Sequence, residues 1–326
     1  MNRLVLIDGN AVLHRAYHAL PPLTNPQGEI VNAVYGFGSV IIKIVHDFQP
    51  THIAVAFDRA APTFRKQMLE SYQAKRPKMD DELISQIDKV HDLVSAFGIS
   101  IYELDGYEAD DVLGSIVQQV QHDRVKKKAD TIDQVIIVTG DRDILQLVAD
   151  EKVFVFMPTK GLSEGKLYGE GEVVERMGVR PTQIPDFKAL AGDSSDNYSG
   201  VPGIGPKTAV ELLKRFGSVE RLYKQLNKKT NLPAATLGKL TQGKESALMS
   251  YALATIKRDV PLEIQMGKTV FTTLNTPEAR DELGKLGFQS LLRRVEGKTK
   301  MGKEKPQKKK VETPAEEAKG EQQTLF

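Results

Sequence analysis

The sequence predicts an α/β fold with a mainly parallel central sheet flanked by helices, and two observations support this prediction. Over the first half of the chain, short apolar runs alternate with segments of helical periodicity, which is typical of strands joined by crossover helices. After Pro158 the apolar runs fade, and residues 170 to about 292 show short helical patterns separated by Gly and Pro. A smaller, all-helical lobe is therefore expected beside the sheet.

The individual elements follow from the spacing of the apolar residues. Strands are predicted at 4–7, 52–57, 99–102, 135–138 and 152–156, and helices at 31–48, 80–97, 108 to about 121, and 144–148. Asp8-Gly9-Asn10 is interpreted as a turn after the first strand. The expected division is an α/β domain over 1–169, a helical lobe over 170–296 and a disordered basic tail over 297–326, where no periodicity remains.

The composition excludes several classes of protein. The 326 residues include no cysteine, which rules out disulfides, zinc–thiolate sites and thiol nucleophiles. No apolar stretch is long enough to cross a membrane, and the first apolar run is too short for a signal peptide. A monomeric cytoplasmic protein without a membrane partner is expected. The formal charge is only +2, but lysines are concentrated toward the C-terminus, which favours a polyanionic partner.

The hexapeptide 106–111 is an acidic segment that directly precedes an apolar helical run. It places Glu108, Asp110 and Asp111 within four positions. Acids do favour the first turn of a helix, where they interact with the helix dipole. Three crowded carboxylates repel one another, however, and a nearby cation normally neutralises them. The segment is therefore interpreted as half of a metal site.

Further acids stand where the topology should bring them together. Three predicted strands end at Asp8, Asp58 and Asp141, and the carboxyl ends of parallel strands meet at one edge of a sheet. In the helical part, Asp193 and Asp196 are three residues apart, so that one helical turn would face both the same way. Either of these two could instead be a helix N-cap.

Together these acids indicate a site for hard divalent cations. The set comprises Asp8, Asp58, Glu108, Asp110, Asp111, Asp141, Asp143, Asp193 and Asp196. Oxygen ligands without Cys or interspersed His select Mg²⁺ or Mn²⁺, and so many carboxylates fit two ions that act on a phosphodiester. His14 and His18 stand four residues apart, but they are interpreted as ordinary packing or surface residues.

Two segments have features of nucleic-acid binding. Residues 200–209 form a glycine-rich turn with Lys207 before an apolar helix, where backbone N–H groups and the helix N-terminus can approach a phosphate. Residues 59–78 carry six basic residues and one acid with interleaved aromatics, which suits a single strand passing the site. A solvated basic loop is the alternative for the second segment.

The motifs together resemble the bacterial 5′-3′ exonuclease and flap endonuclease family, whose nuclease also forms the N-terminal domain of DNA polymerase I. The resemblance runs from residue 1 to about 295 and rests on segments 6–10, 33–37, 55–58, 106–111, 139–143, 192–197 and 200–209. It implies a PIN-like nuclease fold with an arch region at about 59–90 and a helix-hairpin-helix in the helical lobe. Since no polymerase domain follows, the free-standing form is expected.

The resemblance also implies roles for individual residues. The first ion would be held mainly by Asp8, Asp58, Glu108 and Asp110, and the second by Asp110 or Asp111 with Asp141, Asp143, Asp193 and Asp196. Tyr17, Arg65 and Arg76 match positions near the entering strand. Gly200, Gly203, Ile204, Gly205, Lys207 and Thr208 would hold the duplex, with a K⁺ ion as a further expected ligand. Gln73 replaces the usual lysine, so Lys75 is expected to supply that cationic contact.

The tail carries two features of its own. Residues 298–310 include seven lysines and one glutamate, which suits non-specific contact with a phosphate backbone. Gln322, Leu325 and Phe326 fit a Gln-x-x-Leu-Phe peptide that resembles those that dock into a bacterial sliding clamp.

The implied function is hydrolysis of DNA, and of RNA in RNA–DNA hybrids, at 5′ ends and 5′ flaps during replication and repair near the nucleoid. One alternative is a non-catalytic, clamp-tethered DNA-binding protein. A phosphatase that uses Asp8 as nucleophile is disfavoured because position 10 is Asn10 rather than an acid. A dinucleotide site is disfavoured because no Gly-x-Gly-x-x-Gly follows the first strand.

Overall fold

A single twisted sheet is the centre of the fold in the computed structural model, which describes residues 1–122, 131–149, 151–160, 164–226 and 230–298. Its strands are β1 (Arg3–Asp8), β2 (His52–Ala56), β3 (Ser100–Tyr102), β4 (Gln134–Val138), β5 (Val153–Lys160) and β6 (Glu164–Tyr168). Their order across the sheet is β3-β2-β1-β4-β5-β6. All neighbours are parallel except β5 and β6. The predicted mainly parallel sheet is thus present.

Helices cover both faces of the sheet, and loops join the elements of the described chain. The helices before β5 are α1 (Gly9–Ala19), α2 (Asn32–Phe48), α3 (Phe64–Met68), α4 (Asp81–Ile84), α5 (Ile87–Ala96) and α6 (Ala109–His122). Those after β6 are α7 (Glu170–Met177), α8 (Ile184–Ala191), α9 (Pro206–Phe216), α10 (Val219–Leu226), α11 (Ala234–Gln242), α12 (Lys244–Ala254), α13 (Met266–Thr269), α14 (Pro277–Lys285) and α15 (Gln289–Val295). Where the chain is described, 3₁₀ helices lie at Asp143–Leu147 and Pro181–Gln183.

Several elements differ from the sequence prediction. The turn expected after β1 is instead the start of α1, because Asp8 caps that helix through the N–H of Ala11. The predicted helix 80–97 is divided into α4 and α5 at Gln86, whose buried amide oxygen accepts hydrogen bonds from the first turn of α2. Strand β6 was not predicted, because four of its five residues are exposed and no apolar run marks it.

The two faces of the sheet pack against different parts of the chain. Alternate residues of a strand point to opposite faces, so Leu4 and Leu6 of β1 join α6 and most of the helical lobe in one core. Val5 and Ile7 join α2, α5, α14 and α15 in the other. The last two helices therefore return to the sheet, which the expected division into consecutive segments did not anticipate. Among the described residues, no helix has both the length and the apolar character to span a bilayer.

The glycine-rich turn before α9 is held by backbone packing at Gly200. This residue has φ +61°, and a Cβ built on it would lie 2.3 Å from the backbone nitrogen of Gly192. Its N–H donates to Ser250 Oγ at 3.2 Å, and its carbonyl accepts from Ser246 Oγ at 2.5 Å. Gly200 is itself buried and thus fastens the start of the turn to α8 and α12, while Pro202 and Gly203 after it are exposed.

We expect Gly200→Ala to lower the free energy of unfolding by about 2–4 kcal/mol, because strain at positive φ adds to a backbone clash. Gly238→Ala is the matched control, since a Cβ at this position of α11 meets no atom within 4 Å. It should stabilise the protein by about 0.5–1 kcal/mol through helix propensity. Urea denaturation measures both values. Equal stability of Gly200→Ala and the parent protein would contradict the packing described.

Candidate active site

One pocket collects the acids at the strand ends. It has a volume of about 730 Å³ and lies at the carboxyl ends of β1, β2 and β4, beside the first turn of α6. Its lining includes Asp8, Asp58, Glu108, Asp110 and Asp141. The chain passes from β3 at one edge of the sheet to β4 on the other side of β1, and crevices at such switch points bind ligands. The structure thus brings together the acids that the topology predicted to converge.

Hydrogen bonds fix the direction of the pocket carboxylates. Asp8 accepts from the N–H of Ala11 at 3.0 Å and from the hydroxyl of Thr139 at 2.5 Å. Asp58 accepts from the N–H of Ala109 at 2.6 Å, which ties the end of β2 to the start of α6. Each carboxylate is therefore anchored by neighbouring elements and has acceptor capacity left for a ligand.

The pocket concentrates negative charge that the protein compensates only in part. Burial raises the pKa of Asp8 to about 7, against hydrogen bonds that lower it. Burial, followed by the charges of Asp141 and Asp8, raises the pKa of Asp110 well above its ordinary range. Burial also raises the pKa of Glu108 to about 7, although Arg65 opposes this. Such a set of carboxylates favours a bound cation.

A second carboxylate group adjoins the first and joins the sheet to the helical lobe. Asp143 begins the 3₁₀ helix after β4, and Asp193 and Asp196 follow α8. One ligand oxygen from each of the three lies within 4.8 Å of the others. Oxygen donors at this spacing fit a hard divalent cation. The structure thus brings together three of the residues expected around the second ion, Asp143, Asp193 and Asp196.

Two cationic side chains neutralise this second group. Lys188 Nζ forms ion pairs with Asp143 and, at 2.5 Å, with Asp193. Burial raises the pKa of Asp143 to about 7 against the charge of Lys188. Burial would also raise the pKa of Asp193, but Lys188 outweighs it and holds the value at about 2. Arg76 contacts Asp196 at 2.6 Å. The group therefore carries its own counter-ions.

Lys188 is a site residue that the sequence-based reasoning missed. It lies in α8, five residues before Asp193, in an otherwise apolar stretch from Phe187 to Leu190. A lysine among apolar residues directly before an acidic motif is the pattern that could have identified it, because a buried lysine requires an acidic partner.

Arg65 was expected near the entering strand and Asp111 among the metal ligands, but the structure buries both side chains. Their side chains are 3% and 0% exposed. They form a bidentate ion pair, in which the two terminal guanidinium nitrogens lie 2.6 and 2.9 Å from the two carboxylate oxygens. Asp111 also accepts from the N–H of Lys257 at 2.8 Å, and Arg65 donates to the carbonyl of Leu253. With both carboxylate oxygens occupied, Asp111 does not face the pocket. Of the two candidates for the bridging position, the structure turns only Asp110 toward it.

The rim of the pocket is basic. Arg59, Lys66, Arg76 and Lys78 line it, as do His14 and His18, which the sequence-based reasoning had set aside. Lys75 is exposed but does not line the pocket, so its expected role in place of Gln73 has no support from the geometry. The hydroxyl of Tyr17 donates to Glu82 Oε2 at 3.4 Å, outside the pocket lining.

The glycine-rich turn leads into the N-terminus of α9. Gly203 has φ +80° and its carbonyl accepts from Lys239, while Ile204 is buried and anchors the turn. Gly205 precedes the first turn of α9, where Lys207 is exposed and Thr208 is half-buried. This arrangement leaves the helix N-terminus open to an anion. Gln322, Leu325 and Phe326 lie outside the described residues.

Comparison with protein families identifies the chain. A model described as the 5′-3′ exonuclease N-terminal resolvase-like domain matches residues 3–178, and one described as the 5′-3′ exonuclease C-terminal SAM fold matches residues 179–277. The chain belongs to the 5′-3′ exonuclease family. This confirms the resemblance that the motifs indicated.

Relatives of this family include longer proteins. DNA polymerase I of Bacillus subtilis is 40% identical over 293 residues, which are 90% of this chain and 32% of that protein. DNA polymerase I of Geobacillus stearothermophilus is 41% identical over 306 residues, which are 94% and 33% of the two chains. This chain thus spans about a third of the length of these relatives.

Solved structures confirm the predicted fold class. A bacteriophage T5 flap endonuclease in a pseudo-enzyme–product complex with DNA and metal ions has a TM-score of 0.64 at 19% identity, over 91% of this chain and 97% of that chain. The catalytic core of Rad2 in complex with a DNA substrate has a TM-score of 0.56 at 15% identity, over 90% and 91%. At these identities the likeness concerns the fold.

We expect Asp110→Asn and Asp111→Asn to affect stability in different ways. Asp111→Asn removes the bidentate partner of the buried Arg65 guanidinium and leaves it only the contact with Glu108 at 3.2 Å, so it should lower the free energy of unfolding by about 3–5 kcal/mol. Asp110→Asn removes one of several crowded charges and should leave the stability unchanged or raise it by about 1 kcal/mol. Chemical denaturation in EDTA measures both. Similar losses in the two variants would show that the assignment of the two roles is mistaken.

Proposed function

We propose that the protein is a divalent-metal-dependent 5′-3′ exonuclease and 5′-flap endonuclease that hydrolyses phosphodiester bonds in DNA and in the RNA of RNA–DNA hybrids. The observation that carries this proposal is a pocket of carboxylates with a basic rim, next to a second carboxylate group of Asp143, Asp193 and Asp196. We further propose that it acts as a monomer on chromosomal DNA in the cytoplasm, in replication and repair, including primer removal.

Two Mg²⁺ or Mn²⁺ ions fit the donors. Asp8, Asp58, Glu108 and Asp110 would hold one ion, and Asp141, Asp143, Asp193 and Asp196 the other, with Asp110 between them. Such ions, when bound, lower the pKa of water and stabilise the leaving oxygen of a phosphodiester. The remaining tasks fall to the protein. Thr139 and the N–H of Ala109 orient the carboxylates of Asp8 and Asp58. Lys188 offsets the repulsion among the carboxylates of the second group in the metal-free protein.

The basic rim suits the strand to be cut. Arg76 and Lys78 lie over the pocket, on the segment between α3 and α4, and Lys66 lies on α3. Phosphates of a single strand would be attracted to these side chains and guided past the acids. The N-terminus of α9, with Lys207, would hold the duplex through its backbone without reading sequence, together with a K⁺ ion.

A sliding clamp is a proposed partner through Gln322, Leu325 and Phe326. The support is the sequence pattern, because one aliphatic and one aromatic side chain suit a pocket on a partner. Its test is clamp affinity with and without residues 322–326; equal affinities would contradict it.

Cleavage of a 5′-flap substrate tests the proposed activity. Asp141→Ala should lower kcat by roughly 10²–10³-fold, since each metal ion supplies several kcal/mol of transition-state stabilisation. Excess EDTA should abolish cleavage, and Mg²⁺ or Mn²⁺ should restore it. Asp259→Ala is the matched control, because Asp259 is exposed and lies outside the pocket.

Free and 5′-blocked substrates, with DNA or RNA 5′ segments, separate exonuclease from flap cutting in the same assay. A wild-type protein that binds the flap but cuts none of these substrates at any Mg²⁺ concentration would instead be the non-catalytic DNA-binding protein.

Salt dependence of DNA binding tests the rim. In an Asp141→Ala background, Lys78→Ala should weaken flap binding and reduce the slope of log K against log salt by about 1, because one phosphate contact is lost. Lys75→Ala should leave the slope unchanged, since Lys75 does not line the pocket. Fluorescence anisotropy at several salt concentrations gives both slopes. A loss confined to Lys75→Ala would restore the sequence-based role of that residue.

A further inference from the structure

Tyr198 carries a buried hydroxyl group that the fold itself does not use. Its side chain is 6% exposed, and the hydroxyl oxygen has no hydrogen-bond partner among the described residues. Buried polar atoms are satisfied in the great majority of native proteins, and each exception requires an explanation. A phenylalanine at position 198 would fill nearly the same space without leaving a polar atom unpaired.

Two backbone hydrogen bonds fix the position of Tyr198 in its loop. The N–H of Asp193 donates to the carbonyl of Tyr198 at 2.9 Å, and the N–H of Tyr198 donates back at 3.0 Å. These two bonds close the loop that carries Asp193 and Asp196. The ring packs in a small apolar cluster with Tyr72 and Leu253. Tyr198 is therefore fixed to the loop that carries two members of the second carboxylate group.

The charges around the hydroxyl belong to that group. Burial raises the pKa of Tyr198 above its usual range, Lys188 opposes this, and Asp143, Asp193 and Asp196 add to it. The neighbouring acids are satisfied by other donors: Asp193 by Lys188 and by both the N–H and hydroxyl of Ser195, and Asp196 by Arg76. The phenol is left without a partner beside a cluster that fits a cation.

We infer that the Tyr198 hydroxyl is an outer ligand of the second metal site, which accepts a hydrogen bond from the hydration shell of a divalent cation held by Asp143, Asp193 and Asp196. Mg²⁺ and Mn²⁺ keep several waters in protein sites, and the polarised hydrogens of these waters need acceptors. The phenol oxygen is a neutral acceptor that adds no charge to a crowded group. This role rests on the proposed metal binding, and Tyr198 positions the ion rather than contacting the substrate.

Mn²⁺ binding to Tyr198→Phe and Tyr223→Phe tests the inference. Tyr223 is the matched control, since its hydroxyl is also buried without a partner among the described residues, and burial alone raises its pKa, to about 12. The full chain is titrated with Mn²⁺, and free Mn²⁺ is followed by electron paramagnetic resonance. Tyr198→Phe should raise the Kd of one class of Mn²⁺-binding sites by about 10-fold and leave the number of bound ions unchanged. Tyr223→Phe should match the wild type.

Thermal unfolding in EDTA completes the experiment. Neither substitution should lower the metal-free Tm, because each removes only an unpaired hydroxyl. Equal Mn²⁺ affinities in Tyr198→Phe and the wild type would overturn the inference while leaving the proposed nuclease intact. A lower metal-free Tm with unchanged affinity would overturn it as well and make the hydroxyl structural. A wild-type protein that binds no Mn²⁺ would overturn both the inference and the proposed metal-dependent function.

Discussion

The buried ion pair between Arg65 and Asp111 connects three distant parts of the chain. Arg65 belongs to α3 and Asp111 to the first turn of α6. The guanidinium also donates to the carbonyls of Leu253 and Thr255 at the end of α12, and to Glu108 at 3.2 Å. Burying two charges is costly unless every donor and acceptor is used, and here nearly all of them are. Successive helical residues project about 100° apart, so fixing Asp111 in the interior turns Asp110 toward the pocket. The direction in which Asp110 points therefore depends on the Arg65–Asp111 ion pair, in which Asp110 takes no part.

The charge balance differs between the two carboxylate groups. Lys188 and Arg76 pair with Asp143, Asp193 and Asp196, whereas Asp8 and Asp110 have raised pKa values and no ion pair among the described residues. A folded chain that holds such acids close together gives up stability that it could gain from neutral residues at the same positions. Concentrations of perturbed carboxylates of this kind are typical of functional sites, where a ligand supplies the missing charge.

The sequence was informative where one topological rule decides the outcome. The convergence of Asp8, Asp58 and Asp141 requires only that parallel strands end at the same edge, and the pocket lies there. The choice between Asp110 and Asp111 could not be made, because it depends on a guanidinium that approaches from α3. Strand β6 escaped detection because pairing along one edge of a sheet needs no apolar run. Packing of α14 and α15 on the sheet was likewise invisible, since an amphipathic period shows that a helix is covered but not by what.

The return of the chain to the sheet decides where its C-terminal residues begin. Gly297 lines a groove with Gln49 and Pro50, just before β2, whereas Asp58 follows the other end of that strand. The described part of the chain therefore ends, at Lys298, near the end of the sheet opposite the acids. A partner that bound beyond Lys298 would therefore meet the molecule at the pole opposite the carboxylates, and the mouth of the pocket would stay clear for a substrate.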